Sequence, residues 1–142
     1  MKATWELNLE KKKINFSPRP TKCNICGSPV KYGPMEEFGV KPYGSMMCYF
    51  CPTCKSYVAT HKKHSKDALG VLGTKKDRQL RSMCHKLFDA CYYSTAGRRK
   101  AYTALSDALN VRSEDCHFGY MYGDLLQQAY DILLSWKGKN FD

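Results

Sequence analysis

Cys23-Asn24-Ile25-Cys26-Gly27 and Cys51-Pro52-Thr53-Cys54-Lys55 are the stretches whose reading decides how this chain folds. Each C-x-x-C turn can converge two sulfurs on one ion while nearby backbone N–H groups hydrogen-bond the thiolates. Two such turns supply four ligands at about 2.3 Å, the tetrahedral donor set of a structural zinc site. Gly27 adopts without steric cost the positive φ that the residue after a ligand turn often needs, and Pro52 fixes φ inside the second turn. Lys55 stands where Gly27 stands in the first turn, so the two knuckles are expected to differ. A redox pair would need only one C-x-x-C, and a disulfide framework is out of place in a chain without a secretory signal. Cys48 leaves an ambiguity, because it precedes Cys51 by the spacing at which Cys51 precedes Cys54. It is either an alternative donor or a buried strand thiol.

Between the knuckles, Ser28 to Tyr32 and Ser45 to Phe50 read as strands flanking a turn-rich middle with Gly33-Pro34, Gly39, Pro42 and Gly44. A third strand follows through Tyr57, Val58 and Ala59. The expected fold class is α+β: a four-cysteine zinc ribbon of small antiparallel β-structure packed against a C-terminal bundle of about three helices. The expected divisions are an N-terminal arm over 1–21, the ribbon over 22–66 and a helical domain over 67–142. In the arm, Trp5, Leu7 and Leu9 alternate with polar residues until Ser17-Pro18-Arg19-Pro20 breaks the pattern, which reads as an extra strand or a loosely packed tail.

From Thr74 the period changes. Leu80, Met83, Cys84, Leu87, Phe88 and Cys91 recur at helical spacing and predict an amphipathic helix from about Lys75 to Tyr93. Thr74 followed by Asp77 reads as a capping box with aspartate in place of glutamate. A second helix is expected over about Arg98 to Leu109, beginning on three cations that oppose the helix dipole. Ser113 is expected to cap a short turn leading to Cys116-His117. A last helix, starting at Asp124, is expected to bury Leu126, Ala129, Tyr130, Leu133 and Trp136.

The net charge of +10 is regional: residues 1–100 hold 20 Lys+Arg against 7 Asp+Glu, and residues 101–142 hold 3 against 6. The candidate contacts for DNA or RNA, or for a partner, are Lys62, Lys63, Lys66, Lys75, Lys76, Arg78, Arg81, Arg98, Arg99 and Lys100, with Tyr92 and Tyr93 as exposed aromatics. A one-sided positive field attracts phosphate backbones, although it suits an acidic protein partner as well. No long uncharged apolar run or signal peptide is present, so the expectation is a cytoplasmic chain with no membrane partner and reduced cysteines.

Taken in order, Cys23-Asn-Ile-Cys26-Gly27-Ser28-Pro29-Val30, Cys51-Pro-Thr-Cys54 with Tyr57-Val58 and His61-Lys62, Leu80-Arg81 with His85 and Phe88-Asp89, and Cys116-His117-Phe118-Gly119 resemble a phage and prophage family, the zinc-finger-containing domain. The likeness covers about residues 22 to 124. It implies a zinc ribbon followed by helices, encoded mainly by bacterial viruses, and carries no activity over. Ala90-Cys91 and the stretch from Gly119 to Asp124 depart from the family pattern. The matching positions His61, His85 and His117, with Cys116, form a candidate second metal or catalytic site, for which no local ligand spacing speaks.

Three functions compete: a non-catalytic nucleic-acid-binding module with one structural Zn2+; a phage inhibitor that binds a host protein complex in the host cytoplasm; and a metal-dependent nuclease, placed last because paired carboxylates, a phosphate loop and a nucleophile motif are missing from the sequence.

Overall fold

The computed structural model describes residues 1–62 and 64–142. Two compact units divide the chain: Phe16–Arg78, and Met1–Asn15 together with Gln79–Asp142. The division comes at Arg78, later than the 66/67 boundary expected from sequence. The reason is backbone pairing, since Ala68 donates to the Pro18 carbonyl (2.7 Å), Leu69 to Ala59 (2.9 Å), and Gly73 exchanges bonds with Tyr57. The segment from Ala68 to Gly73 therefore belongs with the sheet.

The first unit holds a three-stranded antiparallel sheet, β1 (Lys31–Pro34), β2 (Met47–Phe50) and β3 (Tyr57–Ala59), in the order β1-β2-β3. β1 starts later than expected because Ser28 to Val30 serve the first knuckle: Ser28 accepts from the Cys23 amide and Val30 donates to Thr21. Successive strand residues point to opposite faces, and the sheet has a different core on each. Tyr32, Tyr49 and Val58 lie in register and join Cys23, Cys51, Ala68 and Leu72 on one face. Cys48 pairs with Gly33 and Ala59 and joins Met35 and Phe50 on the other.

The second unit is helical. α1 (Thr4–Leu9) replaces the strand expected in the arm, and none of its residues is buried. Alternation misled because it presumes a half-buried strand, whereas polar groups anchor this arm. The Asn8 side chain accepts from Ser113 N–H (3.0 Å), Lys11 reaches Asp107 (2.5 Å), Lys12 bridges Val111, and Asp115 accepts from Ile14 N–H (3.1 Å).

α2 (Lys75–Asp89), α3 (Thr95–Leu109) and α4 (Gly123–Ser135) place Leu80, Cys84, Phe88, Leu105, Leu126 and Leu133 in one core. α2 ends at Asp89 rather than Tyr93, and Met83 is 40% exposed, outside the stripe assigned to it. Tyr130 and Trp136 are half-buried against that core.

α3 starts before the expected Arg98. Ser94 caps it by accepting from Gly97 N–H (3.0 Å), which moves the three cations beyond the first turn and away from the strongest part of the dipole. Asp142 sits at the same helix start, accepting from the Tyr93 and Ser94 amides. Burial opposes its ionisation, but these bonds outweigh it and hold the carboxyl below its ordinary range. The turn Ser113–Asp115 forms, with Arg112 rather than Ser113 at its cap position.

The capping box of α2 is reciprocal. Asp77 accepts from Thr74 N–H (2.9 Å), and Thr74 Oγ1 accepts from Asp77 N–H (3.1 Å). Asp77 is 5% exposed. Asp77→Ala is expected to destabilise by about 1–2 kcal/mol, and Thr74→Ser, which keeps the hydroxyl, by less than half of that. Chemical denaturation of both variants checks this, and equal losses would count against the box.

Candidate metal centre

The two knuckles are built alike. In the first, Cys23 N–H donates to the Ser28 carbonyl (2.8 Å) and Gly27 N–H to the Cys23 carbonyl (2.9 Å). In the second, Cys51 N–H donates to Ser56 (2.9 Å) and Lys55 N–H to Cys51 (2.8 Å). Gly27 and Lys55 both adopt left-handed backbone, with φ of 78° and 65°. The expected difference between the knuckles is thus absent from the backbone; Lys55 takes the glycine conformation at a cost of about 1–2 kcal/mol.

The hairpins bring Cys23, Cys26, Cys51 and Cys54 together, with all four sulfurs within 4.8 Å of one another. Cys23 Sγ lies 3.7 Å from Cys54 Sγ, and Cys26 Sγ lies 3.4 Å from Cys51 Sγ. Sulfurs about 2.3 Å from a tetrahedral ion would be about 3.8 Å apart, so the donor set fits zinc. Among the described residues this is the one group of histidines, cysteines or acids placed to hold a metal. Cys48 is excluded by strand geometry: it is fully buried on the opposite face of β2, where burial pushes its thiol up to about 11.

Ionisation differs across the set. The Ser28 hydroxyl, helped by its amide, draws Cys26 down to about 6, whereas burial pushes Cys23 up to about 12. Burial works against the Cys54 thiolate too, yet the Ser56 hydroxyl (3.0 Å) and amide outweigh it and lower its pKa. Ser28 and Ser56 each stand two residues after the second cysteine of a knuckle. They were missed in the sequence, where the signal was available as a repeated C-x-x-C-x-S. Asn24 was missed as well. Its side chain accepts from Leu72 N–H (2.8 Å) and donates to the Leu72 carbonyl (3.0 Å), tying the first knuckle to a fully buried residue of the 68–73 segment.

Among the described residues the second set forms no group placed to hold a metal. His61 belongs to the sheet unit. His85 meets the Phe118 ring edge-on at 4.9 Å, and His117 lies against Tyr120 at 4.9 Å and Tyr102 at 6.4 Å. Cys116 is buried, which pushes its thiol up to about 11.

The proposed contact residues are scattered in environment. Lys62, Lys66, Lys75, Lys76, Arg98, Arg99 and Lys100 are exposed; Lys63 lies outside the described residues. Arg81 has a structural task, donating twice to the Met121 carbonyl at 2.7 and 3.1 Å. Arg78 donates to the Gly73 carbonyl and stacks 4.0 Å from the Tyr57 ring centroid. Tyr92 rests against Phe88, whereas Tyr93 is 89% exposed.

Fold and site together define a four-cysteine zinc-ribbon protein carrying one structural zinc ion. Residues 19–135 match the model of the zinc-finger-containing domain family, and the chain belongs to that family. No curated protein and no solved structure is similar enough to match.

Cys51→Ser is expected to abolish zinc retention, and Cys48→Ser to keep one zinc per chain while destabilising the sheet unit by about 1–3 kcal/mol through its buried hydroxyl. Elemental analysis after gel filtration distinguishes them; equal zinc in both would overturn the donor assignment. Ser56→Ala and Ser28→Ala are expected to weaken zinc binding about tenfold or more by removing donors to the thiolates. Competition with a chromogenic chelator measures this, and unchanged affinity in both would remove the role given to the serines.

Proposed function

We propose that this chain is a non-catalytic nucleic-acid-binding protein whose zinc ribbon is scaffold and whose basic surface is the contact. The observation that carries this reading is the charge of the sheet unit. Residues 16–78 hold 11 Lys+Arg against 4 Asp+Glu, a net +7. Of those acids, Asp77 is buried in the capping box and Asp67 is bound to Arg19 at 3.2 Å. The outward field is therefore dominated by cations, which suits a phosphate backbone.

An aromatic face beside one of these cations supports the same reading. Lys66 lies 5.5 Å from the ring centroid of the half-buried Tyr32. Such a pair suits a base next to a phosphate. The metal centre argues for scaffold rather than catalysis, since four thiolates complete a tetrahedron and leave no position for substrate. None of the eight cysteines is joined in a disulfide and four of them converge on the metal centre, which suits a reducing compartment such as the cytoplasm. Among the described residues no helix is long and apolar enough to cross a membrane.

A protein partner is the second reading, favoured by the exposed rings of Tyr93 and Trp5, the latter 66% exposed. In the setting suggested by the resemblance to phage proteins, that partner would be a host complex acting on nucleic acid.

Electrophoretic mobility shifts with single- and double-stranded DNA and RNA test the first reading. Binding is expected at low salt and is expected to fall steeply as salt rises. Replacing Lys62, Lys66, Lys75 and Lys76 by Glu is expected to lower affinity roughly tenfold or more. Absence of binding to every probe at low salt would sink the proposal, and a stoichiometric protein recovered from nuclease-treated lysate would favour the second reading.

A further inference from the structure

Within the helical unit, α3 and the loop after it form an open cavity of about 380 Å³ lined by Arg98, Arg99, Tyr102, Ser113, Cys116 and His117, with Thr103 beside them. Its size falls at the small end of ligand sites, about 300–1,000 Å³. Arg98 and Tyr102 form one i,i+4 row of the helix, and Arg99 and Thr103 form the next.

Three properties of this cavity point to one chemistry. Two guanidinium groups stand at its wall, and among the described residues no carboxylate lines it and no ion pair neutralises either arginine. Glu114, next in sequence to Ser113, accepts from the Asn8 amide at 2.9 Å and from the Ser113 hydroxyl at 3.3 Å. The remaining wall is aromatic: the Tyr102 and His117 rings stand 6.4 Å apart at 62°, edge toward face.

The walls are also held in place. Tyr102 is 4.4 Å from the buried Phe88 ring, and Phe88 meets Phe118, the residue after His117, at 5.7 Å. Arg98 is stacked 5.0 Å over Tyr102 and is also bonded to the Tyr92 side chain. On the loop side, Asn8 fixes Ser113 and the thiol of Cys116 is buried as a neutral floor. A stacked cation beside packed aromatic rings costs little ordering when a ligand arrives.

We propose that this cavity holds one nucleotide, with its phosphate at Arg98 and Arg99 and its base stacked on the exposed His117 ring, beside Tyr102. The inference deepens the nucleic-acid reading and rests on it for the source of the nucleotide: a unit of a single strand rather than a free mononucleotide. It also gives His117 and the two arginines a joint task that neither a metal set nor a general basic surface provides.

The test uses the zinc-loaded full chain and three probes: oligothymidylate, thymidine monophosphate and inorganic phosphate. His117→Ala, at an exposed position, is expected to weaken oligothymidylate about tenfold with the salt dependence unchanged. Arg98→Ala/Arg99→Ala is expected to lower the salt slope by about 0.7 for each phosphate the pair no longer neutralises. Thymidine monophosphate is expected to shift the His117 ring signals in NMR spectra, and inorganic phosphate to shift them far less. Wild-type affinity in His117→Ala, with no shift from the monophosphate, would overturn the cavity while leaving the nucleic-acid reading intact. Equal shifts from monophosphate and phosphate would overturn the base-binding part. Monophosphate binding without any oligothymidylate binding would support the cavity's chemistry and overturn the strand as its source.

Discussion

The convergence of four thiolates on one ion is the constraint on which the sheet unit depends. Residues 16–78 form a unit of the size at which an apolar core alone gives only marginal stability. Their strands are only three or four residues long. Zinc–sulfur bonds make up the deficit, because a site that exists only in the folded chain turns binding energy, on the order of 10 kcal/mol, into folding energy. The serines that hydrogen-bond the sulfurs and the asparagine that grips Leu72 extend this centre into its surroundings. Metal, turn and peptide backbone form one cooperative object.

Strand alternation settles what cysteine spacing left open. A shift of one residue along β2 would exchange the faces of Cys48, Tyr49, Phe50 and Cys51 together, moving aromatic rings as well as thiols. Register and ligand identity are therefore the same choice: Tyr49 and Cys51 share the metal face because Cys48 and Phe50 share the other.

The zinc ligands, the third strand, the capping box and the apolar stripes of the helices were legible, because each is a local pattern with a fixed period or spacing. What was illegible depends on distant partners. The arm reads as alternating because Trp5, Leu7 and Leu9 alternate, yet it is held by Asn8, Lys11 and Lys12 to residues far along the chain. Arg81 reads as a free cation in the sequence, whereas its guanidinium is committed to the Met121 carbonyl forty residues on. The cavity at α3 was legible only in pieces, since Arg98-Arg99 and Cys116-His117 are brought together by helix packing that no local pattern encodes. The start of α3 was misplaced because the basic run masks Ser94, the better capping residue.

The assignment of Met1–Asn15 to the same unit as Gln79–Asp142 means that the sheet unit interrupts the helical one in the chain. During synthesis the two halves of that interruption meet different fates. The ribbon has all its ligands once Cys54 has left the ribosome and can capture zinc while the rest is still being made. The arm emerges before the ribbon and docks late, because Val111, Ser113 and Asp115, to which it is tied, are translated long after it. Contacts of such sequence separation form slowly, so a nascent chain passes through a stage in which a finished metal module hangs between an unpaired leader and incomplete helices. Premature termination within α3 would leave the ribbon folded and the arm without its dock.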